Sequence, residues 1–318
     1  MNDLFNMDLD SGMSFLDKKD NKTNDGILRL DPKKAKDPKK GLRVVLRLLP
    51  NLTQDGKLGQ AAIEKFVHYV KLQNHPELNG YYDSMKNFNE KCDLTNTFWE
   101  LKNSKSVIDN EKAELISRST KYYSYVQIIE HESEPELVGK IMIFPFGIKI
   151  KNKINEERTG EITGTPTNVY DLVNGKDFIC LVKEVGGFAN YDSSQFKPTP
   201  SAIQIPSKDG SLKEVPTVDV NGRKTIDSKF QDKVKEYLLG REVSLEDYAP
   251  VRWDDETRTK VNKIISVLKD NPIIGAKNAI NSASKKEDAT FFDEEDETPF
   301  TEEASSSKSK TDEDFFDF

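Results

Sequence analysis

Alternation of apolar and polar residues over short segments is the feature that most restricts the fold of this chain. In residues 42–50, LRVVLRLLP, the leucines and valine at even positions share one face, Arg43 and Arg47 lie on the other, and Pro50 ends the strand. Three later segments are rich in aromatic and β-branched residues and are separated by turn-like stretches. They are KYYSYVQIIEH, GKIMIFPFGIKI and KDFICLVKEV. Together these segments predict a β-rich body over roughly residues 27–225.

Helical patterns accompany the strands. The segment IDSKFQDKVKEYLLGRE has a cap at Asp227 or Ser228, an apolar stripe of helical spacing and a stop at Gly240. The segment DDETRTKVNKIISVLKDNP repeats that pattern. Between residues 61 and 130, AAIEKFVHYVKL fits a strand or a helix, whereas NTFWELKNSKS and NEKAELISRS favour helices. The predicted fold class is mainly β with α additions.

The two ends of the chain differ from the body in composition. Residues 1–26 sustain no period, which predicts a flexible arm, and residues 281–318 contain too little apolar surface to fold alone. From residue 287 onward thirteen acids face two lysines, so this tail carries −11 and the rest of the chain +3 of the net charge of −8. Such asymmetry indicates a polyanion partner, or a tail that only improves solubility.

The sequence offers no convincing catalytic constellation. Only His68, His75 and His131 are available as histidines, and no glycine loop has the lysine and helix start of a phosphate-binding loop. Two cysteines, Cys92 and Cys180, cannot build a disulfide framework, and no secretory or transmembrane run occurs. We therefore expect a cytosolic protein that is not an enzyme, has no cofactor and binds no membrane.

Aromatic residues recur beside basic residues. The stretch SRSTKYYSY sets Arg118 and Lys121 next to tyrosines, and FPFGIKIKNK and GGFANYDSSQFK repeat the combination. Non-specific single-strand binders use this pairing, because cations follow the phosphates while aromatic rings stack on bases. Neighbouring residues of a strand point to opposite sides, so one of Tyr122 and Tyr123 should be buried.

Four segments, in a shared order, resemble the T-even-phage gene 32-type single-stranded DNA-binding proteins. They are LRVVLRLLPN, SRSTKYYSYVQII, GKIMIFPFGIKIKNKIN and FICLVKEVGGFANYDSSQF, of which the last is the most specific. The resemblance runs, with gaps, from about Ile27 through the second C-terminal helix. It implies an OB-fold barrel core over residues 27–225 with a small insertion subdomain at about residues 60–115. It also implies a helical extension over residues 226–280 and a disordered acidic tail over residues 281–318.

The resemblance also implies roles for individual residues. Arg47, Arg118, Lys140 and Lys149 would contact phosphates of single-stranded DNA. Tyr122, Tyr123, Phe144, Phe188 and Tyr191 would supply stacking faces, and Lys121 joins them from the pattern of bases beside aromatic residues. Barrel packing or surface solvation is the alternative for each of these residues.

Two departures from the family pattern affect these expectations. The family's zinc subdomain uses one histidine and three cysteines, whereas this chain keeps only His68 and Cys92, with Tyr82 and Thr95 near the other positions. A site that lacks two of its four ligands cannot hold tetrahedral zinc. We therefore predict no metal and a subdomain packed around residues such as Phe98 and Trp99. The N-terminus opens MNDLFNMDLD rather than with a basic arm, which leaves self-association on DNA open.

The expected function is coating of single-stranded DNA in phage replication, recombination and repair, in the cytoplasm of the infected bacterial host. An acidic, aromatic tail would compete with DNA and dock on a polymerase, a helicase or helicase loader, or a recombinase mediator. Its residues are Asp312, Glu313, Asp314, Phe315, Phe316, Asp317 and Phe318. The alternatives are an RNA-binding OB-fold protein, a structural or adaptor protein, and a nuclease with clustered carboxylates and Mg²⁺.

Overall fold

The computed structural model describes residues 26–186 and 188–270. Its strands are β1 (Leu42–Leu48), β2 (Ala62–Val70), β3 (Gly80–Asp83), β4 (Arg118–His131), β5 (Ile141–Phe146), β6 (Asp177–Val185), β7 (Phe188–Asn190), β8 (Gln195–Phe196), β9 (Gln204–Pro206), β10 (Leu212–Glu214), β11 (Thr217–Val220) and β12 (Arg223–Ile226). Its α-helices are α1 (Asp93–Asn103), α2 (Val107–Glu114), α3 (Ile148–Thr159), α4 (Ser228–Leu239) and α5 (Asp255–Asp270). The fold is mainly β with α additions, as predicted.

One antiparallel sheet organises most of the strands. Its order is β3-β2-β4-β1-β6-β7, with β5 paired to β4 and β8 paired to β6. One edge of β4 pairs with β2 and then with β1, since Tyr122 lies opposite Glu64 and Val126 lies opposite Leu48. The other edge of β4 pairs with β5. The long strand β4 therefore connects every part of the curled sheet.

The concave side of the sheet surrounds the first apolar cluster. It combines side chains from β1, β4, β5, β6 and β8 with Ile150 of α3. The helix α3 ends at Gly160, whose φ of +69° is a left-handed conformation, and a Cβ there would lie 2.6 Å from the Pro166 nitrogen. A glycine is thus required where α3 turns back toward the sheet.

A second cluster joins the β2–β3 hairpin to α1, α2 and α5. Its buried residues include Val70, Leu94 and Phe98, with Trp99 packed partly buried against them. Val261, Ile264 and Leu268 of α5 cover the cluster from the C-terminal side. The Trp253 indole donates a hydrogen bond to the Asp83 carbonyl, 2.7 Å, and fixes the start of α5 to the edge strand β3.

His68 and Cys92 lie inside this second cluster. The His68 Nδ1 is 2.9 Å from the Ile116 carbonyl, so Nδ1 donates and Nε2 accepts from the Thr95 hydroxyl, also at 2.9 Å. Cys92 Sγ is 3.8 Å from Nε2, while the Tyr82 hydroxyl donates to the Leu78 carbonyl. Both imidazole nitrogens are therefore satisfied by protein groups. Across the described residues, no group of three or more His, Cys, Asp or Glu side chains could hold a metal ion.

A third cluster lies on the outer side of β4 and β5. Tyr125 and Ile143 pack there against Val234 and Leu238 of α4. Asp227 caps α4 by accepting from the Lys229 amide, and α4 ends before Gly240, as the sequence predicted. The C-terminal segment thus covers two separate surfaces, since α4 packs on the curled sheet and α5 on the second cluster.

The structure decides the secondary structure of one segment that the sequence left open and corrects that of another. The segment AAIEKFVHYVKL forms strand β2, paired with both β3 and β4. The β signal assigned to GKIMIFPFGIKI holds only to Phe146, because Ile148 begins α3. No helix in residues 26–186 or 188–270 is long and apolar enough to cross a membrane.

Cavity formation under α5 provides a test of the second cluster. Ile264 is fully buried, so Ile264→Ala should lower the free energy of unfolding by about 2–5 kcal/mol. Ile162→Ala is the matched control, because Ile162 is 76% exposed and its removal should change stability by no more than about 0.5 kcal/mol. Urea unfolding measures both, and equal effects would contradict the packing described.

Candidate nucleic-acid interface

The first half of β4 presents its two tyrosines to opposite sides of the sheet. Tyr122 is buried on the concave side, where its ring stacks on Phe146 at 5.5 Å between centroids and its hydroxyl donates to Glu64. Tyr123 is half-buried on the outer side and stacks on Tyr248 at 5.2 Å. Burial, with nearby Asp83, raises the pKa of Tyr123 to about 12. The prediction that one of this pair is buried is confirmed.

Phe146 leads directly into α3 and its lysines. Gly147 is the N-cap of α3 and offers no side-chain cap, so the first amides of the helix favour an anion. Lys149 Nζ lies 2.7 Å from Asp192 Oδ1, and this hydrogen bond, together with one from Asn190, lowers the pKa of Asp192. Phe146, stacked on Tyr122, thus leads into the first turn of α3, where Lys149 contacts the loop that carries Asp192.

That loop follows a hairpin whose tip exposes an aromatic ring. Strands β6 and β7 pair from Lys183 to Val185, and Val185 lies directly opposite Phe188. Phe188 is 63% exposed. Tyr191 is half-buried against the first cluster, and burial raises the pKa of its hydroxyl. The hairpin thus presents one free ring, Phe188, and holds a second, Tyr191, close to the sheet.

The basic residues of β4 lie at the start of the strand. The Arg118 guanidinium is 5.0 Å from the centre of the Phe66 ring, on the same side of the sheet as Tyr122. Lys121 lies opposite Lys65 on the outer side, and burial lowers the pKa of its ammonium group. Of these two cations, Arg118 is the one that shares a side with α3.

Individual contacts link these parts, from the start of β4 to the β6–β7 hairpin. We use the name strip for Arg118, Lys149, Phe188 and Tyr191, which are connected through the Tyr122–Phe146 stack, α3 and the Asp192 ion pair. The strip combines two cations with one exposed and one half-exposed ring. This combination suits phosphates and stacked bases.

Arg47 requires a correction, because it lies in the interior. Its guanidinium is 1% exposed, donates to the carbonyls of Asp171 and Ser201 at 2.7 and 2.8 Å, and pairs with Asp177 at 3.3 Å. Burial lowers the pKa of Arg47, and Asp177 opposes that effect. Arg47 therefore ties β1 to the 171–177 and 201 loops, and its burial keeps the guanidinium away from any phosphate in solvent.

Phe144 and Lys140 also lie away from the strip. Phe144 is 1% exposed inside the first cluster, 5.8 Å from the Phe146 ring, so it supports the sheet rather than a base. Barrel packing was the alternative left open for Phe144, whose side chain shares a face with Phe146 two residues further along the strand. Lys140 is exposed but precedes β5, at the opposite end of that strand from Phe146.

Two contributors were given no individual role from the sequence. Phe146 supports Tyr122, and its signal was its spacing of two residues from Phe144 on the same strand. Asp192 binds Lys149 across 43 residues, a contact that local sequence patterns cannot indicate. The predicted tail residues, 312–318, lie outside the described residues, as does the arm up to residue 25.

The fold and the strip together give a β-rich domain with a surface suited to a polyanion that carries stacked rings. A family model described as "gp32 DNA binding protein like" matches residues 40–238, which is more than half of the chain. The chain belongs to this family, as the sequence resemblance predicted. The family is one of DNA-binding proteins, which confirms that the chain is not an enzyme.

Curated relatives agree with the family match. The single-stranded DNA-binding protein of Enterobacteria phage T2 is 33% identical over 132 residues, 39% of this chain and 39% of that protein. The single-stranded DNA-binding protein of Enterobacteria phage T4 is 34% identical over 125 residues, 37% of each. The alignments thus span about two fifths of the length of these relatives.

The structural role of Arg47 is testable against Arg43 on the same strand. Arg47→Ala leaves the buried Asp177 with only Lys197 as a charged partner, removes the donor to the Asp171 and Ser201 carbonyls, and should lower the free energy of unfolding by about 3–5 kcal/mol. Arg43 is exposed and pairs with Glu130, so Arg43→Ala should cost no more than about 1 kcal/mol. Chemical denaturation of the two variants compares them directly, and similar losses would argue against a structural Arg47.

Proposed function

We propose that this protein binds single-stranded DNA without sequence specificity through the strip. The observation that carries the proposal is the exposed Phe188 ring at the β6–β7 hairpin, which leads into the loop whose Asp192 binds Lys149, within the region matched by the family model. Stacking on ring faces tolerates any base, and cations follow the backbone. The names of the two phage relatives support the same ligand.

The core that carries the strip is proposed to be an OB-type barrel. Such a barrel is a partly open, five-stranded Greek-key structure that binds nucleic acid on one side. Supporting this, β1 pairs with both β4 and β6, and β5 pairs with β4, around one apolar cluster. The insertion over residues 60–115 and the C-terminal helices would be additions to that core.

Lys149 would exchange its partner when DNA binds. In the described structure the Lys149 ammonium group donates a charge-assisted hydrogen bond to the Asp192 carboxylate. A phosphate oxygen can take the place of the carboxylate as the acceptor. The pair is largely solvent-accessible, so its separation costs little. Asp192 thus holds Lys149 in place for the phosphate.

The wider role is a proposal that rests on the relatives and on composition. We propose work in phage replication, recombination and repair in the cytoplasm of an infected bacterium, because the sequence resembles the T-even-phage gene 32-type proteins. The acidic residues from 287 onward would compete with DNA, because a tethered −11 segment has a high local concentration near the strip. The aromatic end, residues 312–318, would dock on a polymerase, a helicase or its loader, or a recombinase mediator.

The stacking role of Phe188 gives the first test. Phe188→Ala should weaken binding of a thymidine 20-mer by about 5- to 150-fold, the loss of one stacked base, without changing the salt dependence. Arg118→Ala should instead reduce the slope of log affinity against log salt by about 0.7. Fluorescence anisotropy at several salt concentrations measures both quantities.

Exposed residues elsewhere serve as controls for these variants. Leu58 is 74% exposed on the β1–β2 connection, and Lys213 lies on β10, so Leu58→Ala and Lys213→Ala should leave affinity and salt slope unchanged. If Phe188→Ala binds like Leu58→Ala, the strip is not the binding surface. RNA binding would be recognised by tighter binding of a uridine 20-mer than of the thymidine 20-mer.

Charge removal at Asp192 should strengthen binding. Asp192→Asn frees Lys149 and removes a negative charge near the phosphates, so affinity should rise about fivefold at low salt, from about 1 kcal/mol for unit charges about 4 Å apart in water. The gain should disappear at high salt, where screening is complete. Asp209→Asn, which removes an acid paired with Lys213, should have no such effect. Weaker binding by Asp192→Asn would contradict the exchange.

Truncations separate the two proposed roles of the tail. Deleting residues 287–318 should tighten DNA binding at low salt, because −11 of competing charge is removed. Deleting residues 312–318 alone should abolish recruitment of replication proteins with little change in DNA affinity. Unchanged affinity of the longer deletion would rule out competition and leave only the docking role.

A further inference from the structure

A pair of exposed tyrosines lies on the β2–β3 hairpin, outside the strip. Tyr69 and Tyr81 lie directly opposite each other, and their ring centroids are 4.9 Å apart. Their exposures are 42% and 67%. Cross-strand packing explains why the rings touch, but it does not explain why so much ring surface faces water.

The register places this pair on the outer side of the sheet. Tyr69 is four residues after Lys65 on β2, so the two share a face, and Lys65 lies opposite Lys121 of β4. Lys65 also lies 5.9 Å from the centre of the Tyr123 ring and pairs with Asp83. Lys65 and Lys121 therefore lie on the same face as the tyrosine pair, on the side opposite to Arg118.

A groove next to Tyr81 adds further polar groups. It has a volume of about 380 Å³ and runs between the edge strand β3 and the start of α5. Arg252 and Lys260 supply cations, and Asn79 and Thr257 supply neutral hydrogen-bonding groups. The acids in its lining are Asp83 and Asp254. Asp83 is already engaged by Lys65, the Val251 amide and, through its carbonyl, Trp253.

We propose that Tyr69, Tyr81 and the adjoining groove form a second contact site for single-stranded nucleic acid. The tyrosine rings would stack on bases, while Arg252 and Lys260 would meet phosphates. Both cations are paired on the surface with acids, Glu90 and Glu256, in contacts that a phosphate can replace at little cost. The inference deepens the proposed function, and it gives the protein two contact regions on opposite faces of one sheet.

Photo-crosslinking of the full chain to short thymidine oligonucleotides that carry 5-iodouracil tests the site without any substitution. Crosslinks are expected on Tyr69 or Tyr81 as well as on Phe188. In titrations with the same short oligonucleotides, two binding events are expected. Tyr81→Ala should weaken only the second event, by about 5- to 150-fold, and Phe188→Ala only the first.

The controls separate this inference from the proposed function. Tyr81→Phe keeps the ring and should bind like the unmodified protein, and Leu58→Ala should leave both events intact. A single binding event, with crosslinks confined to the strip, would overturn the second site while the proposed function stands. If the protein neither bound nor crosslinked to the oligonucleotides, both the second site and the proposed function would be overturned.

Discussion

Pairing of β4 with three other strands is the interaction on which the structure depends. Fourteen residues from Arg118 to His131 are long enough to pair with β2 and β1 in turn along one edge and with β5 along the other. Alternation along the strand then directs Tyr122 to the concave cluster and Tyr125 to the outer cluster. One strand thereby fixes the positions of both apolar layers and of the surface at its beginning.

Burial on both faces leaves few places where aromatic rings reach water. The first cluster buries the rings of Phe144, Phe146 and Tyr122. Tyr125 is buried in the third cluster, against the C-terminal segment. Phe188 remains exposed because the β6–β7 hairpin extends past the sheet that would cover it. The exposed rings are the ones that we propose to stack on bases, since large aromatic side chains left in water gain nothing from folding.

Periodic elements were predictable, and contacts over long sequence distances were not. The Asp227 cap and the Gly240 stop of α4 follow from local rules. The Ile-Lys alternation at the start of α3 imitates a strand, but the helix buries Ile150 and packs Ile154 beside it, four residues apart. Alternation also predicted that Arg47 is outward like Arg43. The 171–177 loop, more than 120 residues away, covers Arg47 and converts a phosphate candidate into a structural residue.

We propose that rings and cations on this sheet bind single strands of any sequence. The most direct measurement is the affinity of the full chain for a thymidine 20-mer and for a duplex of equal length, at low and at high salt. We expect tighter binding of the single strand, because bases in a duplex are already stacked, and a steep loss of affinity with salt. Equal affinity for the duplex, or an affinity insensitive to salt, would contradict it.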